Sequence, residues 1–118
     1  MIHLHRVYDH AAAPKGARYL IDRLWPRGIR KEQLGLEAWL KEAAPSTELR
    51  RWYSHEPARW EEFRKRYFAE LDNRPEVCEP LLTAARRGPV VLLYSSREEQ
   101  RNNAVALKEY LESKLKAS

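Results

Sequence analysis

Cysteine is nearly absent: Cys78 is the only one in 118 residues, which excludes an internal disulfide and leaves no cysteine cluster for a structural zinc. Glycine numbers four, and none belongs to a Gly-rich phosphate loop. No apolar run approaches the roughly 20 residues of a membrane span, and the opening MIHLHRVYDH lacks the apolar core of a secretion signal. Missing too are a Ser-His-Asp order with a nucleophile elbow and a paired-metal carboxylate pattern. No membrane partner, no metal and no cofactor is therefore expected, and a soluble protein of the reducing cytoplasm is.

What is present is a length and a 43% hydrophobic share that suit one domain over residues 1–118, large enough to bury a single core. The formal charge of +5 is unevenly placed. Residues 1–31 hold seven basic residues against Asp9 and Asp22, which equals the whole excess, while the rest of the chain balances. Acidic partners suit that N-terminal segment, and a balanced mixture suits solvated helix faces.

The pattern along the chain predicts an α/β fold. Ile2 to Tyr8 alternates with period two and reads as a first strand near a sheet edge, and Ala17 to Leu24 reads as a second, bounded by Gly16 and Pro26. Leu34, Leu36, Trp39 and Leu40 fit either a short strand or one helical face. Ser46 is a good N-cap for a helix over Thr47 to Tyr53. Trp60, Phe63, Tyr67 and Leu71 recur at the three-and-four spacing of an amphipathic helix that Pro57 can open. A further helix begins near Pro75, is kinked or restarted at Pro80 and ends at Gly88.

The run from Pro89 to Tyr94 is apolar throughout, as in a central parallel strand covered on both faces. Ser96 and Glu99 fit a capping box for a last helix carrying Ala104, Leu107, Tyr110, Leu111 and Leu115. The sum is a small three-layer domain, a short mostly parallel sheet flanked by helices.

The segment YLIDRLWPRGIRK concentrates unusual chemistry where the second strand ends. Arg23 and Arg27 suit an anion, Trp25 suits a flat face to stack on, and Asp22 suits the role of organising the arginines. In open parallel sheets ligands sit beyond the carboxyl ends of the strands, so the loop after the buried strand, with Ser95, Ser96 and Arg97, would open on the same edge. If a helix started there, its free N–H groups would favour a phosphate or carboxylate. Set against this, Ser96 serves as a cap and the DRLWPRG block as a rigid surface corner, with Trp25 closing the core. His3 and His5 share one strand face without a third ligand, and Cys78 on an apolar helical face reads as packing.

The blocks DRLWPRG, Ala44 to Trp52, EEFRKRYFAEL and LLYSS followed by NNA-x-x-L occur in an order that resembles the domain-of-unknown-function family 488, in its short YeaO-like branch, over essentially the whole chain. The resemblance implies a compact bacterial or archaeal cytoplasmic α/β domain without an assigned activity. It marks Asp22, Arg23, Trp25, Pro26, Arg27, Gly28, Lys31, Trp39, Lys41, Pro45, Ser46, Arg50, Tyr67, Tyr94 and Asn102 as signature positions. Relatives often carry a small pair followed by Lys-Asp where this chain has Ser95-Ser96-Arg97-Glu98.

Three functions compete. A small anionic or phosphorylated ligand, bound with or without catalysis, is favoured because the candidate residues converge on one sheet edge. A nucleic-acid accessory role follows from pairing guanidiniums with an indole, and a non-catalytic protein-interaction module is the third. The sequence leaves the oligomeric state open.

Overall fold

The computed structural model describes residues 1–117. Four strands, β1 (Ile2–Arg6), β2 (Ala17–Leu20), β3 (Ala38–Trp39) and β4 (Val90–Tyr94), form one sheet in the order β1-β4-β2-β3 with every pairing parallel. The unbroken apolar strand is central, as its composition requires: all five residues of β4 are buried. β1 lies at an edge.

Alternation along β4 feeds two unequal layers. Val90, Leu92 and Tyr94 enter the larger core, built from α2 (Thr47–Tyr53), α3 (Trp60–Asp72), α4 (Glu79–Arg87) and α5 (Asn103–Ala117). Val91 and Leu93 enter a smaller one with Leu20 and Leu34, against which Trp25, Ile29, Leu36 and Trp39 pack. Among the described residues the only helix there is the single turn α1 (Lys31–Leu34), so the third layer is mostly the DRLWPRG loop and its continuation. The α/β reading holds, with one face thick and the other thin.

The prolines act as expected. Pro57 and Pro75 each open a 3-10 turn, and α4 starts afresh with Pro80 in its first turn, where a missing N–H costs nothing. Ser46 caps α2 by accepting from the Leu49 N–H at 3.1 Å. The ambiguous stretch from Leu34 to Leu40 resolves into both options, the end of α1 and then the two-residue β3.

Three boundaries differ from expectation, the first being β1, which stops at Arg6 rather than Tyr8. β2 stops at Leu20 rather than Leu24; the Ile21 N–H still reaches the Leu93 carbonyl, but β4 ends at Tyr94 and offers no further ladder. The last helix starts at Asn103, not behind Ser96. The Ser96 hydroxyl accepts from the Glu98 N–H, and it is the Glu98 carboxylate, not that of Glu99, that accepts from the Gln100 and Arg101 N–H groups, so the segment forms turns and Ser96 with Glu99 makes no capping box. The helix is capped by Asn102, whose Oδ1 accepts from the Val105 N–H at 3.0 Å.

Candidate functional site

Because all four strands are parallel, their carboxyl ends open on one edge, and a cleft of about 990 Å³ lies there. All seven residues singled out from the sequence line it: Asp22, Arg23, Trp25 and Arg27 from the loop after β2, and Ser95, Ser96 and Arg97 from the loop after β4. Their individual roles differ from those expected.

Asp22 organises a serine and an asparagine rather than arginines. Its Oδ2 accepts from the Ser95 N–H at 2.9 Å and the Ser95 hydroxyl at 2.6 Å, and its Oδ1 accepts from Asn103 Nδ2 at 3.0 Å. It thereby ties the end of β2 to the end of β4 and to the first residue of α5. Arg23 is spent on structure: Nε and Nη2 donate to the carbonyls of Pro45 and Ala44, and Nη1 lies 3.8 Å from Glu42. The guanidinium holds the loop before α2 against the strand ends.

Trp25 is half-buried and fixed. Its Nε1 donates to the Ile29 carbonyl at 2.7 Å, and its ring meets Trp39 edge-on at 5.3 Å. It therefore closes the smaller core and presents a surface to the cleft as well. Arg27 and Arg97 are exposed, and their side chains have no partner among the described residues. With α5 starting later, the Ser95-Ser96 loop offers no helix N-terminus to an anion.

Several lining residues escaped the sequence reading. Arg6 and Tyr8 come from the end of β1: Arg6 Nε donates to the Ser96 carbonyl at 2.8 Å, its guanidinium lies over the Tyr8 ring, and the Tyr8 hydroxyl donates to the Arg27 carbonyl at 2.7 Å. The strand-end rule applied to β1 would have found both. Arg50, Arg51, Tyr53 and His55 arrive from the last turn of α2 and just beyond it; no local signal says where that end of the helix lands. Ser54 and His55 both have left-handed backbone, φ 45° and 56°, the two non-glycine residues with positive φ among those described. Such conformations are uncommon outside glycine, and here both sit at the cleft.

Electrostatically the cleft is one-sided. Six arginines line it against one carboxylate, that of Asp22, which is already hydrogen-bonded. Arg27, Arg50, Arg51 and Arg97 are all exposed and, among the described residues, without a side-chain partner. At its floor the Tyr53 hydroxyl donates to the Arg101 carbonyl, and burial pushes its pKa above the ordinary range. Glu98 in the neighbouring turn is held below the usual carboxylate range by the Gln100 and Arg101 N–H groups. Among the described residues no group of three or more His, Cys, Asp or Glu is placed to hold a metal.

A family model described as the inactive DUF488-N3 subclade, DUF488-N3i, matches residues 1–118. The chain belongs to that family. Among its relatives, YeaO of Escherichia coli K12, described as uncharacterised, is 44% identical over 108 residues, covering 92% of this chain and 94% of the relative. Mb3100c of Mycobacterium bovis and Rv3073c of Mycobacterium tuberculosis H37Rv, also described as uncharacterised, are each 40% identical over 106 residues, covering 90% of this chain and 89% of theirs. No solved structure matches significantly. The DUF488-N3i assignment agrees with the resemblance carried by DRLWPRG and LLYSS. No described helix is long and apolar enough to cross a membrane.

Proposed function

We propose that this DUF488-N3i chain is a binding domain for a small anionic or phosphorylated ligand, held in the cleft at the strand ends. The observation that carries this reading is the set of four guanidiniums, Arg27, Arg50, Arg51 and Arg97, that have no partner among the described residues and line a cavity whose single described carboxylate is already engaged. Clustered like charges are costly until an anion neutralises them, and guanidiniums suit phosphate and carboxylate geometry. Binding without turnover fits the "inactive" in the family's description. The lone buried thiol of Cys78 suits a reducing cytoplasm.

Calorimetry with inorganic pyrophosphate at low ionic strength tests this. Binding is expected, and Arg27→Ala should weaken it about tenfold, the equivalent of one charge-assisted hydrogen bond of ~1.5 kcal/mol. No binding of pyrophosphate or nucleotides, or an affinity untouched by both Arg27→Ala and Arg97→Ala, would overturn it. The competing nucleic-acid reading draws on the excess charge of residues 1–31; it requires oligonucleotide affinity that falls steeply with salt.

A further inference from the structure

The cleft has an apolar side that a bare anion would leave unused. Of the large hydrophobic residues described, only Met1 and Leu24 are exposed, and Leu24 is 66% exposed on the cleft wall. Scattered exposed leucines are ordinary, but this one stands between two pinned neighbours. Arg23 is anchored to the carbonyls of Pro45 and Ala44, and Trp25 to that of Ile29. Its exposure is therefore set by a fixed backbone.

Beside it the Trp25 ring is locked by its indole hydrogen bond and by Trp39, whose own Nε1 donates to the Asp22 carbonyl at 2.7 Å. A flat group landing there would meet a surface that has already lost its rotamer freedom, which removes much of the usual cost of binding. Two residues further on, the exposed Arg27 begins the cationic part of the same wall, with Arg97 on the neighbouring strand end and Arg50 and Arg51 on α2.

We infer that the ligand is a nucleoside phosphate, its base against Leu24 and Trp25 and its phosphates among Arg27, Arg97 and the arginines of α2. This rests on the anion-binding reading above and narrows it. The cleft volume of about 990 Å³ is at the upper end of the ~300–1,000 Å³ of small-molecule sites, ample for a base, a sugar and two phosphates. Pyrophosphate alone would fill a small part of it. A nucleic-acid strand is less well served, because the partnerless arginines surround one cavity instead of tracking along a surface.

The test is calorimetry on the full chain with ADP, UDP, inorganic pyrophosphate and a single-stranded RNA oligonucleotide. Base stacking is worth ~1–3 kcal/mol, so at least one nucleotide should bind about 5- to 150-fold tighter than pyrophosphate. Leu24→Ser, a change at an exposed position, should narrow that gap, and Arg27→Ala should weaken nucleotide and pyrophosphate together. Pyrophosphate binding as tightly as both nucleotides, or a gap untouched by Leu24→Ser, overturns the nucleoside inference and leaves the anion site standing. Binding of neither nucleotide nor pyrophosphate overturns both. RNA binding far tighter than any nucleotide, with a steep salt dependence, replaces both with the nucleic-acid reading.

Discussion

Asp22 shows how much one side chain can hold at this site. It is half-buried and accepts from three donors on two other segments, Ser95 and Asn103. Asp22→Asn keeps the shape but turns one oxygen into a donor that faces donors. A destabilisation of about 1–3 kcal/mol is expected, the cost of leaving partly buried polar groups unpaired, read as a lower urea midpoint with an unchanged slope. An unchanged midpoint would mean that the three bonds hold nothing together. The place of Asp22, Arg23 and Ser95 at the strand ends was legible in the sequence, since each follows a strand-like run. Their partners were not. Ser95 is 73 positions from Asp22, and nothing local separates a guanidinium taken up by the Pro45 and Ala44 carbonyls, as in Arg23, from a free one, as in Arg27.

At the scale of elements, local rules succeeded where one segment decides the outcome. α2 runs from Thr47 to Tyr53 behind the Ser46 cap, α4 restarts around Pro80, and β4 is buried along its length. They failed where a second segment decides, as at the end of β2, or where a capping residue has a second use, as with Ser96, which takes the Glu98 N–H into a turn and leaves the helix cap to Asn102. Strand pairing itself depends on a close approach. Gly16 has φ +149°, and a Cβ there would lie 2.7 Å from the Pro89 carbonyl oxygen, the atom that receives the Ala17 N–H and begins the β2–β4 ladder. Gly16→Ala should therefore cost about 1–3 kcal/mol through strain and a displaced backbone. Gly88, with extended backbone and nothing within 4 Å of its would-be Cβ, is the control; Gly88→Ala should stay within about 0.5 kcal/mol. Equal midpoints for the two variants would refute the close-approach argument.

For the whole molecule, the α/β class and the parallel sheet were legible because strand-like and helical patterns alternate along the chain. The thinness of one face was not, since Trp25, Ile29, Leu36 and Trp39 cover it without a period. The larger core joins residues of every helix from α2 to α5 with three strands, and Cys78 sits inside it at 2% exposure. This lone thiol is a built-in probe of global opening. Burial pushes its pKa from an ordinary 9.0 up to about 11, so near neutral pH the native thiol is shielded both by packing and by protonation. A disulfide-exchange reagent should then label it only through unfolding, and the opening free energy derived from the labelling rate should match that from urea denaturation. The linkage has a definite sign. A thiol that binds its proton more tightly when folded contributes stability fully below pH 9.0, and that contribution is lost as pH rises through 9.0 towards about 11. Urea midpoints measured across this range should fall, and less steeply in Cys78→Ala. Rapid labelling of the native chain, or a rate that urea does not change, would show that α4 detaches locally and that the core around Cys78 does not open as one unit.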